Sequence, residues 1–175
     1  MAEGTTLGYR PQVSPQAPSL IVIETAVFAS IAAGVVCWAI GEAGRSRIWW
    51  TAGAVLTLLH SIAAFGLVYG WSHDTARRLT AQQTAALTGI DFGGGIYVNY
   101  LFLLVWLADA AWWWTFPQGY ARRSRWLSAI VRAFIFFVVV NGAVIFADGI
   151  ARLVGGLSVS VVLLAWTSRY LRVRH

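Results

Sequence analysis

Charge and cysteine are scarce in this chain. Of its 175 residues, 11% are charged and 58% are hydrophobic, and the mean hydropathy is +0.66. Charged residues make up about a quarter of a soluble globular domain, so a water-soluble enzyme is excluded as a class. The single cysteine, Cys37, lies in an apolar run, which excludes a disulfide scaffold. An aromatic content of 14% excludes a disordered chain.

The positive charge is not gathered into a patch. The formal net charge is +6, but the arginines stand between apolar segments instead of forming one basic surface. Membrane proteins use their cations in this way, at the ends of spans. We therefore expect a lipid bilayer as the surrounding partner and no nucleic acid.

The apolar segments predict an all-α fold, a polytopic transmembrane helical bundle with five spans. Each segment approaches the length of about 20 residues that a spanning helix needs. An alternative with four spans has the last segment lying at the interface, but its apolar residues do not gather on one face as such a helix requires. Residues 1–19 are predicted to be an extended N-terminal tail, residues 20–170 a single transmembrane domain, and residues 171–175 a basic C-terminal tail. The predicted spans are 20–40, 48–70, 96–116, 127–147 and 153–170.

The longest connection, from Trp71 to Gly95, is predicted to carry a helix of its own. Its stretch from His73 to Thr88 contains no glycine or proline, so it favours a short helix lying on the membrane surface.

Orientation follows from the arginines, because short cytoplasmic loops retain positive charge. The five-span topology puts eight arginines on one side and four on the other. This distribution predicts that the chain lies in a bacterial cytoplasmic membrane with its N-terminus outside and its C-terminus in the cytoplasm. Eight tryptophans gather at the same arginine-rich side, where indole prefers the interface. The eight arginines are Arg45, Arg47, Arg122, Arg123, Arg125, Arg169, Arg172 and Arg174.

Polar residues inside the spans are the candidate functional residues. An ionisable group there costs about 2.5 to 3.5 kcal/mol on insertion scales, so each one requires a reason. Glu24, Asn99 and Asn141 fall in the outer half of their spans and are predicted to form a polar cluster that holds a small-molecule headgroup or a water. Interhelical hydrogen bonding is the structural alternative. The candidates for an intramembrane polar or ligand-lining role are Glu24, His60, Asn99, Asp109 and Asn141.

Asp109 and Arg132 are predicted to form a structural ion pair. At a rise of 1.5 Å per residue, they lie about 10 Å and about 7 Å from the same end of neighbouring antiparallel spans. Each charge would then offset the desolvation of the other.

His60 is the deepest of these residues. A neutral, hydrogen-bonded imidazole is one interpretation, and a haem ligand is the other. His73 follows 13 residues later, a spacing that resembles that of the haem-carrying helices of b-type cytochromes, although His175 is the only other histidine. The aromatic load of the third span is also of a kind that stacks on a quinone or a haem.

The usual parts of phosphate-cradling loops and of zinc, serine or thiol catalysis are missing, so no catalytic residue is predicted. The leading hypothesis is a non-enzymatic small integral membrane protein without a cofactor. It would be either a subunit packed against other membrane subunits or itself, or a small binding module with an intramembrane pocket. One alternative is a haem- or quinone-associated redox protein using His60. Another is a proton-coupled carrier that acts as an oligomer and uses Glu24 and Asp109.

Overall fold

The computed structural model describes the backbone of residues 18–174 and the side chains of residues 27 and 29–172. This part of the chain is helical and contains no strand, which confirms the all-α prediction. The helices are α1 Pro18–Gly44, α2 Arg47–Leu67, α3 His73–Thr88, α4 Gly95–Thr115, α5 Pro117–Arg122, α6 Arg125–Val140 and α7 Gly149–Arg174, with a π-helical turn over Asn141–Ile145 after α6.

Four helical stretches are long and apolar enough to cross a membrane, and large apolar side chains such as Leu104 and Leu164 are exposed on them. The chain is therefore a helical membrane protein. The last predicted span is among these stretches, whereas the side chains at the start of α1 lie outside the described residues. The four stretches are Arg47–Leu67, Gly95–Thr115, Arg125–Ile145 and Gly149–Arg172.

The helix ends have local causes. Ser72 begins α3 by accepting a hydrogen bond from the Thr75 N–H at 3.2 Å, and Ser124 begins α6 by accepting one from the Leu127 N–H at 3.0 Å. Gly89 ends α3 in the left-handed conformation, at φ +75°. The helix predicted over His73–Thr88 is thereby confirmed with the same bounds.

The core is a layer of tryptophans and aliphatic side chains near the middle of the bundle. Trp38 of α1, Trp50 of α2 and Trp106 of α4 are almost completely buried together with Ile135 and Val162. Helices α1 and α2 approach each other so closely at Gly41 that a Cβ atom there would lie only 2.6 Å from the backbone nitrogen of Trp50. Small residues permit this close packing of helices.

The ends of the bundle differ in charge. At one end α1, α4 and α7 end and α2 and α6 begin, and eight described arginines there face only two carboxylates, Glu42 and Asp109. We call this the arginine end. At the opposite end three arginines are matched by Asp74, Asp91 and Asp148. The arginines of the arginine end are Arg45, Arg47, Arg122, Arg123, Arg125, Arg132, Arg169 and Arg172.

The π-helical turn was not predicted from the sequence. The Asn141 side-chain nitrogen donates to the Phe137 carbonyl oxygen at 2.7 Å, and the Phe146 N–H reaches back five residues to the Asn141 carbonyl at 2.9 Å. A second donor on one carbonyl competes with the regular helical ladder, which is a known cause of local irregularity.

Candidate functional site

A cavity of about 520 Å³ lies inside the bundle, between the tryptophan layer and the end opposite the arginine end. We call it the membrane cavity. Its walls come from α1, α2, α4, α6, the π-helical turn and α7, and most of its lining is apolar. A mainly apolar cavity with a few polar groups is the usual form of a small-molecule site. The lining residues with a hydroxyl, amide, imidazole or carboxylate group are Thr57, His60, Ser61, Tyr69, Gln83, Asn99, Tyr100 and Asp148.

His60 contributes an acceptor to this cavity. Its Nδ1 lies 2.9 Å from the carbonyl oxygen of Val27 in α1. Because a carbonyl oxygen can only accept, Nδ1 carries the hydrogen of the neutral ring, and Nε2 keeps its lone pair. The helix pairing thus fixes both the orientation of the imidazole and the nitrogen that is left for a ligand.

Asn99 contributes an amide that forms no hydrogen bond with the described residues, and it lines the same cavity. The neighbouring hydroxyls are different. Thr57 donates to the Gly53 carbonyl at 2.8 Å and Ser61 donates to the Thr57 carbonyl at 2.9 Å, so both hydroxyl hydrogens are used within α2. Asn99 is therefore the free donor and His60 the free acceptor of this group.

The membrane cavity has α3 near its mouth, where Gln83 and Tyr100 line it. His73 holds this region together, because its Nδ1 lies 3.1 Å from the Tyr100 hydroxyl and its Nε2 lies 3.2 Å from the Tyr97 hydroxyl. Both ring nitrogens are thus engaged. His60 and His73 lie on different helices, so the 13-residue spacing does not put them on one helix face as in b-type cytochromes.

Two buried indole N–H groups lie in the tryptophan layer beside this cavity. The Nε1 atoms of Trp50 and Trp106 have no acceptor among the described residues, and Trp106 also lines the cavity. The two rings pack at 5.5 Å between centroids. A buried donor without a partner costs about 1 to 3 kcal/mol, so each of these indole N–H groups lowers the stability of the layer unless an acceptor from outside the chain reaches it.

The remaining members of the predicted polar cluster are placed differently. Asn141 does not line the cavity, and its amide serves the start of the π-helical turn instead. The side chain of Glu24 lies outside the described residues. Of the predicted cluster of Glu24, Asn99 and Asn141, the structure places only Asn99 on the membrane cavity, where it meets His60, which was not predicted to belong to that cluster.

The predicted ion pair between Asp109 and Arg132 is wrong in its partners. Asp109 pairs with Arg123, and both side chains are almost completely buried. Arg132 instead contacts Glu42, with its Nε 3.3 Å from a carboxylate oxygen. The difference arises because α5 folds back over the arginine end and carries the chain at Arg123 into the space beside Asp109.

Aromatic stacking fixes this buried pair. The Tyr120 hydroxyl donates to Asp109 at 3.0 Å, and the Tyr120 ring stacks on Trp113 with 4.6 Å between the ring centroids. The Arg123 guanidinium lies 3.9 Å from the centroid of the same Tyr120 ring. Burial raises the pKa of Tyr120, and the nearby Asp109 charge raises it further, so the hydroxyl remains protonated and able to donate. Asp109 is thereby held at the arginine end, away from the membrane cavity.

Glu42 was missed by the sequence analysis and has the most side-chain partners of any carboxylate among the described residues. It is 3% exposed and accepts a hydrogen bond from the Trp166 indole at 2.9 Å. Arg169 donates to the backbone carbonyl of Glu42 at 2.7 Å, and so covers the C-terminus of α1. Glu42 thus ties α1 to α6 and α7. Its position one residue after Gly41, beyond the predicted end of the first span, gave no signal of this role.

No protein-family model, curated protein or solved structure matches this chain.

Proposed function

We propose that this chain is a non-enzymatic small integral membrane protein that binds an apolar small molecule in the membrane cavity. The volume of about 520 Å³ within the spans is the observation that carries the proposal. The ligand would have an apolar body with one polar group. Two unused groups, the Nε2 atom of His60 and the amide of Asn99, offer that polar group an acceptor and a donor.

We infer that this chain lies in a bacterial cytoplasmic membrane with the arginine end in the cytoplasm. Eight described arginines at that end against three at the other support this orientation. The outward apolar faces of the spans would contact lipid, other membrane subunits or a second copy of the chain.

Filling the cavity tests the proposal. Ala151 lines the membrane cavity, whereas Ala133 is exposed on α6 and does not line it. Ala151→Phe and Ala133→Phe therefore add the same volume at a cavity position and at an outward position. Purified wild type and both variants are titrated with decylubiquinone in detergent, and the thermal unfolding midpoint is recorded.

A ligand at 100 times its dissociation constant stabilises the folded state by about 2.7 kcal/mol. We expect a saturable rise in the midpoint for wild type and Ala133→Phe, and loss of that rise for Ala151→Phe. An equal response of all three proteins means that the quinone acts through the detergent, and it would contradict binding in the cavity. If none of them responds, the same titration with a carotenoid tests a longer apolar body.

A haem-binding redox protein is the second candidate, and the geometry of His60 favours it. A histidine that ligates a metal through one nitrogen commonly donates from the other to a carbonyl, as His60 Nδ1 does to Val27. Visible spectra of wild type and His60→Gln, purified from cells supplied with a haem precursor, decide between the candidates. A Soret band that disappears in His60→Gln supports haem ligation. A colourless wild type contradicts it.

A proton-coupled carrier using Asp109 receives less support. The carboxylate of Asp109 is held by Arg123 and Tyr120 at the arginine end, while the unused polar groups lie in the membrane cavity on the other side of the tryptophan layer.

A further inference from the structure

A second cavity, of about 600 Å³, lies at the arginine end, and the proposed ligand site does not include it. We call it the arginine pocket. It is formed where the segment after α1 meets α5 and the first two turns of α6. Its charged and polar lining consists of Arg45, Arg123, Arg125, Arg132, Tyr120 and Ser128.

The lining of the arginine pocket carries positive charge that the protein does not neutralise. No carboxylate belongs to the described lining. Asp109 pairs with Arg123 behind it, and Glu42 is shared between Arg132 and Arg169. Arg45 and Arg125 form no ion pair with any carboxylate of the described residues. Two guanidinium groups at the rim therefore remain available for an anion from outside the chain.

The groups behind the rim are held in place by contacts with one another. Arg123 is 4% exposed, its Nε donates to the Ser128 hydroxyl at 2.8 Å, and its guanidinium lies on the Tyr120 ring. Arg45 stands at φ 51°, in the left-handed region that glycine favours, directly after Gly44. The bend after α1 thus presents an arginine to the pocket where a glycine would relieve the backbone.

Two further features favour an anion with phosphate geometry. The pocket adjoins the N-terminal turns of α6, which contain no acidic residue, so the helix dipole adds to the positive potential. All 13 basic residues of the chain are arginines. The planar guanidinium forms paired hydrogen bonds to phosphate oxygens, which an ammonium group cannot do.

The tryptophans around the pocket favour a position near the phosphate level of a bilayer. Trp49, Trp114 and Trp126 are exposed at this end, with Trp126 at 82%, and exposed indoles of membrane proteins lie at the interface with the headgroups. A lipid phosphate and a soluble phosphate offer the same chemistry to Arg45 and Arg125 at this level.

We propose that the arginine pocket is a binding site for a phosphate group, engaged by Arg45 and Arg125 and supported by Arg123 and Arg132. Its occupant is either the headgroup of an anionic phospholipid or a soluble phosphate. The site does not depend on the occupancy of the membrane cavity.

The test removes the two rim charges and leaves both buried ion pairs intact. The variant is Arg45→Gln with Arg125→Gln. Its matched control is Arg122→Gln with Arg172→Gln, which removes the same charge from exposed positions at the same end that do not line the pocket. Each protein in neutral detergent is titrated separately with dioctanoyl phosphatidylglycerol, dioctanoyl phosphatidylcholine and inorganic phosphate. Native mass spectrometry counts the bound molecules, and the thermal unfolding midpoint reports the affinity.

We expect one retained phosphatidylglycerol or phosphate in wild type and in the control. In the rim variant we expect an affinity lower by at least about tenfold, because the variant loses charge-assisted hydrogen bonds from two guanidinium groups to the phosphate. Saturation by phosphatidylglycerol but not by inorganic phosphate identifies a lipid site, and the reverse identifies a soluble ligand. Equal losses in both double variants would mean that only the overall charge matters, and would overturn the proposal. If none of the three probes binds, or if the rim substitutions leave binding unchanged, the proposal is also overturned.

Discussion

The buried pair of Asp109 and Arg123 makes a quantitative prediction about stability. Their side chains are 3% and 4% exposed, respectively. Removing one partner of a buried pair costs about 3 to 5 kcal/mol, because the remaining charge stays desolvated without compensation. In Asp109→Asn, the amide oxygen can still accept the hydrogen bond from Tyr120. We therefore expect the lower part of this range, about 3 kcal/mol.

The exposed pair of Asp148 and Arg152 provides the control. The Asp148 side chain is 93% exposed, and its carboxylate lies 3.1 Å from the guanidinium of Arg152, four residues later in the chain. Exposed pairs of this type contribute about 0 to 1 kcal/mol. Asp148→Asn should therefore change the free energy of unfolding by no more than about 0.5 kcal/mol.

Double-mutant cycles measured by unfolding in detergent micelles separate the correct partner from the predicted one. We expect a coupling energy above about 1 kcal/mol between Asp109 and Arg123, and less than about 0.5 kcal/mol between Asp109 and Arg132. Replacing the pair by Asp109→Leu with Arg123→Met should restore much of the lost stability. The reasoning is refuted if Asp109 couples as strongly to Arg132, or if Asp109→Asn is as mild as Asp148→Asn.

Two further predictions follow from Glu42 and from the orientation. Glu42→Gln should lower the free energy of unfolding by about 2 to 4 kcal/mol, since it leaves Arg132 and Arg169 without their shared charge, and a change below that of Asp148→Asn in the same micelle assay would contradict this. For the orientation, cysteines placed at the exposed positions Gln82 and Gln118 should react with an impermeant thiol reagent on opposite sides of the membrane, Gln82→Cys in intact cells and Gln118→Cys only after permeabilisation. Labelling of both in intact cells would contradict the orientation.

The helices were largely predictable because apolar length and helix breakers are local features of the sequence. The bounds of the helix over His73–Thr88 were predicted correctly for this reason. That polar residues such as Asn99 line a cavity was anticipated, since polar groups within spans rarely face lipid, whereas the meeting of Asn99 with His60 depends on how the helices pack and was not predicted.

The partners of the charged groups were not predictable from spacing. Arg123 and Arg132 both follow the span that carries Asp109, and the choice between them depends on the short helix α5, which Pro117 begins. Tyr120 and Arg123, three residues apart, gave the available signal, because this spacing lets an aromatic ring and a guanidinium meet. The contacts of Glu42 with Trp166 and Arg169 join distant parts of the chain, and no local pattern carries that information.

The tryptophan layer has a consequence for spectroscopy. Of the ten tryptophans, Trp38, Trp50 and Trp106 are packed within the bundle, whereas Trp49, Trp114 and Trp126 are exposed at the arginine end. Intrinsic fluorescence therefore comes from separate populations, one shielded from the solvent and one accessible to it. Brominated lipids would quench the outer indoles first, and near-ultraviolet circular dichroism would report on the coupled rings of Trp50 and Trp106. The protein thus contains its own optical probes for the state of its interior and of its lipid boundary.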